Sequence, residues 1–236
     1  ASPTTITTDF AYDGDTVIRE TATSSAGPIT TRTFTTDESG AILKMTVATT
    51  GGGSTADDGT YLVTYNGHGD AIGLAEIDPN DGHLIPAARM TYSSWGTPAV
   101  TAQSGYGSLG FRYLYVGRFD VQWDDFSSAG LHYMHARHYS PEFGRFLQPD
   151  PSAAEVNLYG YAGNGPVSQV DPSGTCFWFL LPAATGIGAL AAVPSFGVCV
   201  VAAAGLAFFT ARTITMLNNQ LRDDWRNDRT LAIGPG

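Results

Sequence analysis

Apolar and polar residues alternate over short stretches through the first 150 positions. No stretch there sustains the three-to-four-residue apolar spacing of an amphipathic helix. Residues 30–34 and 42–47 read as strands, with turns at Gly14, Gly27-Pro28 and Ser39-Gly40. The glycine-rich stretch 51–59 reads as a loop. YLVTY at 61–65 is a strand signal, followed by Asn66-Gly67, a turn pair at which positive φ is cheap. A second strand begins at 71–77, a turn follows at 79–82, and short strands are expected at 90–92, 113–116, 131–134 and 137–139. Tyr12-Asp13-Gly14, Tyr65-Asn66-Gly67 and Tyr92 to Gly96 each place an aromatic shortly before glycine, a loose internal period. One hairpin cannot bury its apolar face alone, whereas stacked hairpins can. The pattern therefore predicts a continuous array of antiparallel hairpins.

The character changes after Gly174. Residues 177–211 are 35 consecutive positions without a charge, interrupted by Pro182 and Pro194 and diluted by glycines. A short helical apolar C-terminal segment is expected, followed by a polar-to-amphipathic helix over 213–227. A stretch of 17 residues, 195–211, is marginal for a bilayer, which needs about 20 residues at about 1.5 Å each. Two membrane helices, 177–193 and 198–211, with Arg212 as interfacial anchor, are one reading. A segment stored dry within a β-structure, or a fragment of an enzyme, are others. The physical demand is common to the first two, because each large apolar side chain left in water costs roughly 1.5–3 kcal/mol. The chain thus divides into 1–174 and 175–236.

Charge supports the same division. The net charge is −10, with 8 basic against 19 acidic groups over 1–175 and 4 against 3 over 176–236. Phosphate neutralisation needs clustered basic charge, so nucleic acid is not an expected partner. No glycine-rich phosphate loop with its lysine is present, the only lysine being Lys44, and no cofactor is expected. Cys176 and Cys199 have no zinc spacing, and read either as buried apolar side chains or as a disulfide in an oxidising compartment.

Residues 117–174 carry six ordered motifs: Gly130-Leu131-x-Tyr133, Ala136-Arg137-x-Tyr139, Gly144-Arg145-Phe146, Asp150-Pro151, Asn157-Leu158-Tyr159-x-Tyr161, and Pro166-x4-Asp171-Pro172-x-Gly174. This closely resembles the end of the associated core domain of bacterial Rhs proteins, the YD-repeat family, which also includes the C subunits of insecticidal toxin complexes and is related to teneurin shells. Looser matches extend the resemblance to 9–174. It implies a mostly β fold, a curled antiparallel β-hairpin repeat array forming part of a shell. It further implies that the shell encloses a variable C-terminal effector beginning just past the last Asp-Pro-x-Gly, and that many members cut themselves there in an aspartate-dependent reaction. The expected partners are the remainder of a parent shell or other copies, with membrane lipid and an immunity protein beyond them. The expected location is secreted or cell-surface, with a membrane-inserting tail. The rival reading is a structural or adhesive β-scaffold whose apolar tail mediates assembly or anchoring. The chain departs from the family at Thr175, where leucine is frequent, and at Asn164-Gly165-Pro166.

Self-cleavage needs a carboxylic acid beside a carboxylate, because like-charge repulsion keeps one of a close pair protonated. Asp150 and Asp171 are the candidates the family fold would bring together, with Arg145 to hold one ionised or to stabilise an anionic intermediate. The scissile bond would be Thr175–Cys176. The alternative is that both Asp-Pro pairs simply form turns and Arg145 is an ion-pair partner. His132, His135 and His138 alternate in direction along a strand, which favours packing over a metal site. His68 and Asp70, in Gly67-His68-Gly69-Asp70, read as a turn because no nucleophile elbow accompanies them.

Overall fold

The computed structural model describes residues 4–14, 16–103, 109–124, 130–153, 156–175 and 178–179, which belong to the compact unit Ala1–Leu180. Eight strands pair in sequence order as one antiparallel meander: β1 (Ile6–Asp13), β2 (Thr16–Ser24), β3 (Ile29–Thr36), β4 (Ile42–Thr50), β5 (Gly59–Tyr65), β6 (Ala71–Ile77), β7 (Leu84–Tyr92) and β8 (Pro98–Ala102).

Strict alternation along these strands is broken at matching places. In β2, β4 and β6 the register slips by one residue, leaving Ile18, Leu43 and Ile72 as the extra residue of a bulge. A bulge shifts everything beyond it to the other face. That is why Val17 and Glu20, Ile42 and Met45, and Ala71 and Leu74 are buried together at a spacing of three, while Ile18 and Ile72 face solvent. A fourth slip, at Ala87, allows β7 to carry Pro86 without losing its place.

The connecting loops repeat as well. In 37–41, 66–70 and 93–97 the first residue's N–H donates to the fifth residue's carbonyl, and the fourth-residue glycine donates back to the first. The side chain of Asp37, Asn66 or Ser93 caps the loop by accepting backbone N–H groups. The glycine has φ of 85°, 93° and 88° at Gly40, Gly69 and Gly96. Positive φ therefore falls on Gly69, not on the Asn66-Gly67 pair that the sequence suggested.

Residues 109–116 lie against the buried face of the meander. They were expected to include a strand at 113–116, but they run as an irregular strap that turns at Val116, φ 53°. Leu109, Phe111, Tyr113 and Leu114 complete the first core with Phe34, Met45, Tyr61, Val63 and Met90. The strap is held by Arg32 Nε donating to the Leu109 carbonyl at 2.8 Å and by Ala71 N–H donating to the Leu114 carbonyl at 2.9 Å.

A second sheet has the order β12-β11-β10-β9, from β9 (Gln122–Asp124), β10 (Leu131–Met134), β11 (Arg137–Ser140) and β12 (Arg145–Phe146). A short pair, β13 (Gln169–Val170) with β14 (Trp178–Phe179), follows. The second core is aromatic: Tyr115, Tyr139, Phe146 and Tyr161 are fully buried or nearly so, with Tyr139 and Tyr161 ring centroids 4.1 Å apart.

The expected curled array is not what forms. Among the described residues β1 pairs only with β2 and β8 only with β7, so the meander is open there at both edges. Sequential hairpins fix neighbours but do not join the first strand to the last. The expected short helical apolar segment gains no support either. Among the described residues the helices are two single 3₁₀ turns, Gly117–Phe119 and Ala162–Asn164. None there is long and apolar enough to cross a membrane. Except for 178–179, residues 177–236 lie outside the described residues.

Candidate functional site

Strand β11 alternates so that Arg137 and Tyr139 point inward. Arg137 is 3% exposed, and its guanidinium lies 3.5 Å from the centroid of the Phe146 ring. Five donors in a rigid fork must find acceptors when buried. Nε donates to the Gly174 carbonyl and Nη1 to the Leu158 carbonyl at 3.1 Å. Nη2 donates to Asp171 Oδ2 at 3.1 Å and lies 3.7 Å from Asp150 Oδ2. Two buried carboxylates thus flank a single guanidinium nitrogen.

Each carboxylate sits at the start of an Asp-Pro-Ser turn, with proline supplying the fixed φ of the second position. In the first turn Asp150 Oδ1 accepts the Ser152 N–H at 2.8 Å and lies 2.7 Å from Ser152 Oγ. In the second, Asp171 Oδ1 accepts the Ser173 hydroxyl at 3.3 Å and the Thr175 N–H at 3.1 Å. The turn reading and the paired-carboxylate reading of these residues describe one arrangement: the turns aim both acids at Arg137. Gly174, with φ 67°, closes the second turn, and a Cβ there would sit 2.4 Å from the Met134 carbonyl oxygen. This accounts for glycine at that motif position.

Asp150 and Asp171 are therefore brought together, and Arg145 is not. Arg145 is exposed on β12, its guanidinium 5.9 Å from the Tyr159 ring. The arginine at the site, Arg137, was visible in the sequence only as part of Ala136-Arg137-x-Tyr139. Its inward direction on a strand was the available signal. The peptide that follows the second turn is also at the site: the Thr175 carbonyl oxygen lies 3.2 Å from Ser152 Oγ.

The three histidines of 132–138 take separate partners. His132 is fully buried, with Nε2 2.9 Å from the Gly96 carbonyl and its ring 4.7 Å from that of Trp123. Burial pushes its imidazole pKa down to about 4. His135 Nε2 lies 3.4 Å from the Phe119 carbonyl, and His138 Nδ1 lies near the Gln148 amide. Asp78, Asp81 and His83 are the one group among the described residues whose ligand atoms converge, within 4.8 Å. They sit on the β6–β7 turn, where Asp78 Oδ1 and Asp81 Oδ1 already accept backbone N–H groups.

His68 and Asp70 do more than shape their turn. His68 Nδ1 lies 2.9 Å from Asp70 Oδ1 and Nε2 lies 2.9 Å from the Pro166 carbonyl, so the loop clasps a segment 98 positions away. Asp70 also accepts the Val116 N–H and the Asn66 amide, each at 2.9 Å. Burial alone would raise its carboxyl pKa, but the hydrogen bonds from His68, Asn66 and Val116 outweigh it and hold the pKa below the usual range. Asn66, His68 and Asp70, with Tyr92 and Tyr115, line an open cleft of about 610 Å³.

No family model matches the chain. Among curated proteins it is similar to the tRNA3(Ser)-specific nuclease WapA of Bacillus spizizenii, 33% identical over 184 residues, covering 75% of this chain and 7% of that protein. It is also similar to the toxin protein Tse5 of Pseudomonas aeruginosa, 35% identical over 117 residues, 49% of this chain and 8% of that protein. The chain thus spans less than a tenth of the length of these relatives. Among solved structures, a TcdB2-TccC3-Cdc42 complex aligns over 74% of this chain and 8% of its own, with a TM-score of 0.58 and 21% identity. A Photorhabdus luminescens Tc holotoxin pore aligns over 80% of this chain and 8% of its own, with a TM-score of 0.58 and 20% identity. At such identity the structural matches establish a shared fold. With the WapA match and the motifs of 117–174, they make this chain an Rhs/YD-repeat-like toxin core related to the shells of Tc-toxin C subunits.

Proposed function

We propose that the chain is part of a toxin shell that cuts itself between Thr175 and Cys176, releasing 176–236 as the carried effector. The observation that carries this reading is the convergence of Asp150, Asp171 and Arg137 on the peptide leaving the core, with the Thr175 N–H bound to Asp171 Oδ1 at 3.1 Å. A guanidinium favours ionisation of the acid it binds, while like-charge repulsion within a close pair of acids keeps one of the two protonated. Water adds to the Thr175 carbonyl carbon, losing a proton to the ionised carboxylate. The C–N bond then breaks, the amine of Cys176 leaves with a proton, and Thr175 is left as a new carboxyl terminus.

The two-part division, core 1–174 and variable 175–236, belongs to the same proposal. The uncharged run 177–211 makes the released piece a candidate for action on a lipid bilayer, since it demands an apolar environment. The open edges at β1 and β8 are the places where further shell strands, from a parent chain or another subunit, would pair. Secretion or cell-surface display suits a protein of this kind.

Intact mass of the fully denatured chain tests the cut. Fragments ending at Thr175, forming far more slowly in Asp150→Asn and in Asp171→Asn, are expected. A wild-type chain that keeps its full 24.9 kDa under all folding conditions rules the reading out. Dye release from anionic and neutral vesicles by 176–236 tests the effector, and no release from either counts against bilayer action.

A further inference from the structure

Ser152 lies between the two groups that a cut after Thr175 would need to connect. Its Oγ is 2.7 Å from Asp150 Oδ1 and 3.2 Å from the Thr175 carbonyl oxygen. A carbonyl oxygen only accepts, and an ionised carboxylate only accepts, yet a serine hydroxyl has one hydrogen. With Asp150 ionised, one of the two contacts has no hydrogen in it. With Asp150 in its acid form both are satisfied: the acid donates to Ser152 Oγ, and the Ser152 hydroxyl donates to the Thr175 carbonyl. Asp171 is engaged differently. It takes the Arg137 Nη2 donor at 3.1 Å, against 3.7 Å for Asp150, and accepts the N–H groups or hydroxyls around it. That surrounding suits an ionised carboxylate.

We infer that Ser152 is a catalytic proton relay, passing the proton of Asp150 to the carbonyl oxygen of Thr175 while Asp171 serves as base. This rests on the self-cleavage reading and assigns roles within it. Water adds to the Thr175 carbon and gives a proton to Asp171. The carbonyl oxygen takes the Ser152 proton, and Ser152 takes that of Asp150, giving a neutral diol. On collapse the Thr175–Cys176 bond breaks and the departing nitrogen takes the proton from Asp171. The diol returns its own through Ser152 to Asp150, so the site ends as it began and one water has been consumed. A neutral diol avoids a full negative charge beside two acids, an electrostatic gain that a direct attack without the relay would forgo. Ser152 is exposed, so a water molecule has access to this side of the peptide.

The test follows the full chain in a pulse of cell-free synthesis, with the fragment ending at Thr175 measured by mass against time and pH. Ser152→Ala slows cutting by about 10²-fold, the low end of the usual contribution of a positioned acid. Ser152→Thr, which keeps the hydroxyl, stays within a few-fold of wild type. Asp150→Asn with Ser152→Ala is no slower than Asp150→Asn alone, because the two act as one unit. Ser152→Ala cutting at the wild-type rate, Ser152→Thr as slow as Ser152→Ala, or a multiplicative double variant overturns the relay while leaving self-cleavage standing. A wild-type chain that is never cut overturns both.

Discussion

Arg137 is a single side chain on which packing and the proposed chemistry both depend. It lies on the Phe146 ring, tethers the carbonyls of Gly174 and Leu158, and sits between two buried acids. Removing one partner of a buried charge network costs about 3–5 kcal/mol, because the others are left uncompensated. Arg137→Met is expected to lose that much in urea denaturation, and exposed Arg145→Ala less than about 0.5 kcal/mol. The pH dependence is set by other residues, in opposite directions. His132 keeps a neutral ring to about pH 4, whereas an unfolded histidine takes a proton near pH 6.5. The unfolded state therefore gains protons as pH falls from about 6.5 to about 4, and stability drops through that window. His132→Phe flattens the drop. Asp120 is the reverse: burial raises its pKa to about 6, with His135 opposing. Its folded form holds a proton that the unfolded form releases, so its stabilisation is present below about pH 4 and lost as pH rises to about 6. Asp120→Asn, at a position with φ 62° that asparagine tolerates, is expected to raise the melting temperature at pH 7 and leave it unchanged at pH 3.5. At this scale the acids were legible because Asp-Pro is a strong local turn signal. The choice of Arg137 over Arg145 was not, since two arginines eight positions apart on neighbouring strands differ only in which way they face.

The β3–β4 and β5–β6 hairpins are built from the same two devices, a capped five-residue loop and a bulge one step beyond it. Together they explain what sequence reading found and what it missed. Aromatic-to-glycine spacing marked the loops, and β6 was read with its full extent at 71–77. Strict alternation failed at Ile18, Leu43 and Ile72 because the extra residue is apolar, and so looks like an inward position when it is not. The 113–116 segment carries strand-type residues, yet its job is to cover the meander, and burial against Phe34 and Met45 overrides propensity. A loop-level prediction follows from the positive φ at Gly69, where a Cβ would stand 2.6 Å from the Phe119 ring. Gly69→Ala is expected to cost about 2–3 kcal/mol. Gly67→Ala, with open space around it, is expected to be neutral or to gain about 0.4–1 kcal/mol by restricting the unfolded chain. Midpoints of chemical denaturation separate the two.

For the molecule as a whole, the consequential fact is that both meander edges lack a partner strand among the described residues. β1 exposes Ile6 and Tyr12 and β8 exposes Val100, and neither edge carries an inward lysine. Such edges invite pairing with another chain, opposed here by a net charge of −10. Sedimentation is expected to show concentration-dependent association that grows with salt as repulsion is screened, and Ile6→Lys with Val100→Lys should suppress it. A strictly monomeric chain at all concentrations and salts would contradict this. Family motifs made the hairpin content readable. They did not reveal whether the sheet closes, because closure depends on strand number and stagger across the whole sheet rather than on any local pattern.

The two Asp-Pro-Ser turns lie 21 positions apart, and what brings them face to face is an arginine anchored in an aromatic core. An arrangement so assembled exists only after that core has set. A nascent or misfolded chain holds the same residues scattered and, under the proposed cleavage, would keep its tail attached. Scission at Thr175 would then act as a certificate of completed folding, issued once by each molecule to itself, with no outside protease to time it.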